Sequence, residues 1–237
     1  PAVENGSARL QSDAPGVPVT VCPAQPPIIS RTDWGCPTGP ESPHWPPQYQ
    51  PVTHIVVNHT ASPNSAADWA RVVRSIWHFH AKILGWGDIG YNYLVDPLGN
   101  VYEGRAGGHD VIAAFDGFNR GAMGVGYIGC YGDGCGYGAT AGDPTPEMLA
   151  AGNRLIAWKV GRQGLDPHGE AEYCETLLPT IVGRSQVKCR GYGAEAGRLE
   201  TFLPEMRQTA QSAIEACELP PDAVRIDRVF PATGLNA

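Results

Sequence analysis

The stretch that decides the fold runs from Gly85 to Arg105 and reads GWGDIGYNYLVDPLGNVYEGR. Tyr91, Tyr93 and Val95 alternate with their neighbours as residues of a β-strand do, and Asp96-Pro97-Leu98-Gly99 is typical of a turn. Residues 101–103 then return as a second strand. The pattern predicts a β-hairpin entered through Gly-Trp-Gly, which places a large indole at a flexible lip. A hairpin with aromatic residues is more often part of a core than of a site.

Predicted strands and helices alternate on both sides of the hairpin. Strands are predicted at 54–58, 123–129 and 178–183, and loops at 37–52, 104–121 and 163–177. Helices are predicted from Ser65 or Asp68 to about Leu84, from Thr145 to about Arg162, and over 195–215 with a break near Leu203 caused by Pro204. This order predicts a single α/β domain with a central mixed β-sheet flanked by about three helices.

The organisation of the chain follows from its composition. We expect an extended N-terminal arm at residues 1–27, one domain at 28–217 and a C-terminal tail at 218–237. No run approaches the about 20 apolar residues of a membrane span. The net charge of −7 argues against nucleic acid as a partner. The start at Pro1, with no apolar leader, we interpret as a removed signal peptide or a trimmed start.

Seven cysteines without C-x-x-C spacing predict disulfides rather than a structural zinc ribbon. Disulfides in turn indicate a secreted, periplasmic or cell-surface protein. Cys130 and Cys135 flank a short turn that a local bridge would close, and a bridge between Cys22 and Cys36 would anchor the N-terminal arm. Three bridges leave one thiol over, and the spacing does not decide the pairing.

The hairpin stretch resembles the signature segment of the peptidoglycan recognition proteins, which share a fold with zinc-dependent N-acetylmuramoyl-L-alanine amidases. Other pieces resemble the same family in the same order: ISRTDWG at 29–35, IVVNHTAS at 55–62, Trp77 to His80, GFN at 117–119 and GVGYIG at 124–129. The resemblance covers about residues 28–215 and implies the fold of that family.

The resemblance also implies a zinc site built from two histidines and a cysteine, with an open position for water. The matching positions here are Asn58, Arg184 and Cys189. An amide oxygen is a poor zinc ligand, and a permanently protonated guanidinium repels a dication. His59 cannot replace Asn58, because the next side chain on a strand points to the other face. We therefore expect no metal and no cofactor, and zinc only if the chain is an active amidase.

The third ligand position is open. Cys189 lies closer to Arg184 than the family spacing allows, so the match falls either there or near Tyr192. Cys189 would also be blocked by a disulfide to Cys174 or Cys217. An improvised metal site is a further alternative, with ligands from His59, His109 and His168.

Other family positions imply a ligand groove. The residues expected to contact a muropeptide are His59, Thr60, His80, Trp86, Tyr91, Arg105 and Asn119. An arginine pairs with stem-peptide carboxylates and aromatic rings stack on sugars. Tyr91 matches a tyrosine that assists catalysis in active members, so it is catalytic only if the chain is active. A cleft histidine of bacterial relatives is replaced at Ala114 or its neighbour. Read singly, His80 also fits a core histidine and Arg105 a hairpin salt bridge.

These residues favour a protein of the peptidoglycan recognition fold that binds peptidoglycan, a muropeptide or a protein partner without zinc-dependent hydrolysis. One alternative is an active zinc amidase that cleaves the lactyl-amide bond of peptidoglycan. The other is a structural or assembly protein that reuses the fold and makes contacts through its terminal extensions.

Overall fold

A central sheet organises the chain. The computed structural model describes residues 22–38, 45–113, 120–132, 135, 141–188 and 197–217. In chain order the elements are β1 (His54–His59), α1 (Trp69–His78), β2 (Tyr93–Val95), β3 (Val101–Glu103), β4 (Ala122–Tyr127), α2 (Pro146–Gln163), β5 (Glu170–Tyr173), β6 (Thr176–Pro179), β7 (Ile181–Gly183) and α3 (Leu203–Glu215). The five-stranded sheet has the order β3-β2-β4-β1-β7. Its strands are parallel except β3, which runs antiparallel to β2. The predicted α/β domain with a mixed sheet is confirmed.

The two faces of the sheet bury different clusters. Val57 and Val125 pack with residues of α2 and α3 in the larger core. Leu94 packs with the buried side of α1 in the second cluster. Because Leu94, Gly126 and Asn58 are register partners, Asn58 lies on the same face as α1. We call this the cleft face, and the face covered by α2 and α3 the back face.

The helices begin where their sequence predicts. Asp68 and Thr145 each accept a hydrogen bond from an amide in the first turn of α1 and α2. Beyond its α-helical part, α1 continues as a π-helical turn over Phe79–Ile83, so the helical segment ends near the predicted Leu84. The predicted break before α3 is also present, as a 3₁₀ segment over Gly197–Phe202.

The predicted loop at 163–177 is wrong, and so is the single strand at 178–183. Strands β5 and β6 form a separate two-stranded sheet. Thr180 then divides β6 from β7: its amide donates to Gly169 and its carbonyl accepts from Ile55. The turn of the β5–β6 hairpin uses Cys174 and Glu175 at φ of 53° and 63°. Neither residue signals a turn of that kind in a sequence.

The signature hairpin departs from the predicted alternation at one residue. Tyr93 and Val95 pack on the back face, but Tyr91 packs with Leu94 on the cleft face. The side chain of Asn92 lies at the break and adds two hydrogen bonds to backbone groups. Its Oδ1 accepts from a β4 amide at 2.8 Å, and its Nδ2 donates to a loop carbonyl at 2.8 Å. Tyr91 and Tyr93 therefore serve opposite faces.

One disulfide prediction is confirmed and one is wrong. Cys130 and Cys135 are bridged as expected. Cys22 is bonded to Cys217 and not to Cys36, so the start of the described chain is tied to the end of α3. Cys36 is a free thiol that accepts a hydrogen bond from an arginine, and burial raises its pKa to about 11. The disulfides fit an oxidising compartment, while the location itself stays a prediction.

None of the helices in the described ranges has the length and apolar character needed to cross a bilayer. Of the predicted arm and tail, residues 1–21 and 218–237 lie outside the described residues, so the domain boundaries stay predictions.

Candidate functional site

The carboxyl ends of the parallel strands bring two predicted positions together. Val57 of β1 is the register partner of Gly183 of β7. Asn58 and Arg184 therefore follow on adjacent strands at the same edge of the sheet. Parallel strands gather their terminal residues in this way, and ligands of α/β sheets commonly bind there.

Asn58 is joined to Tyr91 by a buried hydrogen bond. The Asn58 Nδ2 donates to the Tyr91 hydroxyl at 3.3 Å, and that hydroxyl donates to the backbone carbonyl of His59 at 3.2 Å. Asn58 is 8% exposed, and its Oδ1 has no hydrogen-bond partner in the described part of the chain. Because buried acceptors are normally paired, this oxygen is an unsatisfied acceptor within the cluster.

Gly126 leaves the space that the ring of Tyr91 occupies. A Cβ there would lie 2.8 Å from both Leu94 and the Tyr91 ring. Glycine thus lets the ring cross β4 and reach Asn58 on the neighbouring strand. The GVGYIG pattern is therefore a packing requirement of this site.

His80 and Trp86 continue the cluster from the π-helical turn into the hairpin lip. The ring of His80 lies 4.8 Å from Trp86 and 5.8 Å from Tyr91 between centroids. The His80 Nδ1 accepts a hydrogen bond from the Gly90 amide at 3.0 Å. Burial and the nearby Arg105 charge lower the pKa of His80 to about 4. The ring is thus neutral at neutral pH and carries its proton on Nε2.

Arg105 holds the lip in place. Its guanidinium donates to the carbonyl of Ile89 at 3.0 Å and to that of Trp86 at 2.7 Å, and the residue is 5% exposed. Burial lowers its pKa. Trp45, 53% exposed, lies over the guanidinium at 5.4 Å. We refer to Asn58, His80, Trp86, Tyr91 and Arg105 as the Asn58 cluster.

A pocket of about 270 Å³ opens beside this cluster. Its lining includes Trp45, Asp88, Arg105 and Arg120, so two arginines and an exposed indole face one cavity. Sequence reasoning missed Trp45 and Arg120. Trp45 stands in a proline-rich stretch that reads as a connection, and its only signal is an indole among prolines.

Comparisons with known proteins agree with this geometry. The family model described as N-acetylmuramoyl-L-alanine amidase matches residues 48–193. The chain belongs to this family. Peptidoglycan recognition protein 1 of Bos indicus is 32% identical over 160 residues, which are 64% of this chain and 77% of that protein.

Solved structures of the amidase family share the fold. Wild-type PGRP-LB of Drosophila has a TM-score of 0.54 at 26% identity, covering 75% of this chain and 92% of that chain. Peptidoglycan recognition protein-LE in complex with tracheal cytotoxin, a monomeric diaminopimelic acid-type peptidoglycan, has a TM-score of 0.55 at 27% identity. That match covers 76% of this chain and 92% of the other.

Arg184, which the sequence resemblance matches to a ligand position of the family, is buried in this structure. It begins a 3₁₀ turn directly after β7 and is 1% exposed. Its Nη1 donates to the carbonyl of Val187 at 2.9 Å. A guanidinium has five donors and no acceptor, so this side chain can bind an anion or a carbonyl but not a cation.

The side chains of two predicted contact residues, His59 and Thr60, bond to the turn after β4 and not to side chains of the Asn58 cluster. The His59 Nδ1 accepts a hydrogen bond from the Tyr131 amide at 3.0 Å, and His59 is 8% exposed. The Thr60 hydroxyl accepts from the Gly129 amide at 3.1 Å. Both residues hold the turn after β4, and their contact with a ligand stays a prediction.

Four positions named from the sequence lie outside the described residues: Ala114, Asn119, Cys189 and Tyr192. Cys174 is disulfide-bonded. Across the described ranges, no group of three or more His, Cys, Asp or Glu side chains is placed to hold a metal ion, and this includes His59, His109 and His168. The zinc expectation stays a prediction, because the third family position is not described.

Proposed function

We propose that this member of the amidase family binds muropeptide at the Asn58 cluster and does not hydrolyse it through zinc. Family membership supports the ligand class, since a relative of the same fold has been captured with tracheal cytotoxin. The pocket beside Arg105 and Arg120 suits a ligand with carboxylates, because arginines bind carboxylates through paired hydrogen bonds.

The observation that carries the proposal is that Arg184 and Asn58 occupy neighbouring positions at the carboxyl ends of the adjacent strands β7 and β1. These residues stand where the family resemblance puts two zinc ligands, and their chemistry does not fit a zinc ion. The amide of Asn58 is a weak donor to zinc, and a buried guanidinium would add charge repulsion. Loss of partners around a site costs about 10–100-fold in metal affinity, and replaced ligands cost more.

Without a metal, the remaining groups bind and orient. In this proposal the neutral His80 offers its Nε2 proton to the ligand. Trp86 supplies a flat surface at the lip, on which a sugar ring stacks.

Retention on insoluble peptidoglycan tests the binding half. Arg120→Ala should weaken retention about tenfold or more, because a charge-assisted hydrogen bond to the ligand is lost. Arg154→Ala is the matched control, since Arg154 is an exposed arginine of α2 and borders a different pocket. Failure of the unchanged protein to bind would contradict the muropeptide proposal and leave a protein partner.

Metal analysis tests the catalytic half. After mild dialysis we expect no stoichiometric zinc and no release of stem peptide from peptidoglycan. One zinc per chain, together with lysis that a chelator abolishes, would instead establish the active amidase.

A further inference from the structure

A second pocket opens on the back face of the sheet. It has a volume of about 480 Å³ and is lined on one side by Tyr93 and Glu103, which are register partners of β2 and β3. The 3₁₀ turn Gly108–Asp110 and Tyr49 line it as well. We call it the back pocket. Because Tyr93 and Asn58 lie on opposite faces, the back pocket is separate from the Asn58 cluster.

Tyr93 brings an unpaired hydroxyl to this pocket. The residue is 3% exposed, and its ring packs edge-on against Trp158 at 6.3 Å. No described residue hydrogen-bonds to the Tyr93 hydroxyl, and Tyr93 lines the back pocket. Burial, and then the charges of Glu103 and Asp110, raise the pKa of Tyr93. Both carboxylates therefore act on this hydroxyl, which stays protonated.

The two carboxylates of the back pocket differ in their partners. Asp110 accepts hydrogen bonds from the ammonium of Lys159, which is fully buried, and from Gln163 at 2.7 Å. Glu103 makes no side-chain hydrogen bond or ion pair with any residue in the described ranges. Asp110 is thus neutralised by Lys159, and Glu103 is not.

The remaining titratable groups do not cancel the Glu103 charge. Burial and the Lys159 charge lower the pKa of His109 to about 4, so this imidazole is neutral. Arg162 lies on the exposed side of α2, and its charge lowers the pKa of Tyr93, but it is the weakest of the four influences on that group, behind both carboxylates. The back pocket therefore presents one uncompensated negative charge next to a free hydroxyl.

We propose that the back pocket binds a small organic cation with a primary ammonium group. The ammonium donates to the Glu103 carboxylate and to the Tyr93 hydroxyl, and the aromatic ring of Tyr49 borders it. A metal ion fits less well, since the described residues offer no group of three clustered His, Cys, Asp or Glu side chains. The site is independent of muropeptide binding on the other face.

Titration with n-butylammonium, followed by amide resonances in NMR spectra, tests the proposal. We expect saturable shifts for Ser30, Glu103, Gly107 and Gly108 in the millimolar range. The uncharged isostere n-butanol should produce no such shifts. No saturable shift with n-butylammonium, or equal shifts with n-butanol, would overturn the proposal.

Three variants locate the charge. Glu103→Gln should weaken binding about tenfold or more, because a charge-assisted hydrogen bond is lost. Tyr93→Phe should weaken it about threefold to tenfold. Glu172→Gln removes an exposed carboxylate from the separate β5–β6 sheet and should change nothing. Unchanged affinity in folded Glu103→Gln would exclude this site. None of these variants touches the Asn58 cluster, so peptidoglycan retention reports on the other proposal independently.

Discussion

Replacing Tyr91 with phenylalanine removes the oxygen that joins two strands at the Asn58 cluster. That hydroxyl accepts from Asn58 Nδ2 at 3.3 Å and donates to the His59 carbonyl at 3.2 Å. The Asn58 Oδ1 already has no partner in the described ranges. After the substitution, neither polar atom of this amide has a hydrogen-bond partner there, although Asn58 is 8% exposed.

The size of the effect follows from burial and distance. A buried polar group left unpaired costs about 1–3 kcal/mol. Both hydrogen bonds, at 3.3 and 3.2 Å, are slightly longer than the usual range, which places the loss nearer the lower bound. We expect the free energy of unfolding to fall by about 1.5 kcal/mol. For a chain of this size that corresponds to a fall in Tm of about 3–6 °C.

Urea unfolding of four proteins separates the buried amide from the tyrosine itself. Asn58→Leu replaces the amide with an apolar side chain of similar volume, so no polar group is left unpaired by a later change at Tyr91. Tyr91→Phe should then cost about 1 kcal/mol less in the Asn58→Leu background than in the unchanged chain. Equal costs in the two backgrounds would refute the hydrogen-bond argument, as would a loss below about 0.5 kcal/mol in the unchanged chain.

Three further outcomes are expected. Serine at both Cys22 and Cys217 should lower the free energy of unfolding by about 2–4 kcal/mol, since the bridge closes a separation of 195 residues; an unchanged urea midpoint would contradict this. Gly152→Ala should lower the free energy of unfolding by about 1–3 kcal/mol, because the added Cβ would overlap the buried Tyr127 hydroxyl. This loss should exceed the gain from the better helix propensity of alanine. A raised Tm would contradict the prediction. His80 has a pKa of about 4 in the folded chain against about 6.5 in the unfolded chain, so between these pH values it takes up a proton only on unfolding. Its contribution to the free energy of unfolding should therefore be complete above pH 6.5 and be lost as the pH falls towards 4. An NMR titration of the His80 ring with a midpoint near 6.5 would exclude this.

The parts of the fold that were predictable have a local chemical cause. Asp68 and Thr145 are capping residues whose side-chain oxygen accepts a hydrogen bond from an amide of the first helical turn, and α1 and α2 start directly after them. The β5–β6 hairpin has no such signal. Its strands are largely exposed, and its turn forces Cys174 and Glu175 into the left-handed region that glycine or asparagine normally occupies.

The site was predictable as far as motifs fix single positions. The five residues of the Asn58 cluster do lie together, because the sequence motifs of the family fix their positions along the strands. The roles of the side chains were less accessible. Arg105 uses two of its donors on backbone carbonyls of the lip, a contact that depends on how the chain folds back over 16 and 19 residues. The sequence likewise does not show that Glu103 is the carboxylate of the back pocket that is not neutralised, because this depends on the contact of the buried Lys159 with Asp110.

Asn92 connects the two proposals physically. A regular strand would place Tyr91 and Tyr93 on one face, so either the Asn58 cluster or the back pocket would lose its hydroxyl. Asn92 is fully buried, and its side-chain amide makes two hydrogen bonds to backbone groups. Its Oδ1 accepts from an amide of β4, and its Nδ2 donates to a carbonyl of the loop after β3. The backbone amide and carbonyl of Asn92 are paired as well, with Gly124 and Gly104, so every polar group of this buried residue has a partner. The sequence GYNYLV therefore does more than mark a strand. The break in alternation at Asn92 places the phenol of Tyr91 on the cleft face and that of Tyr93 on the back face.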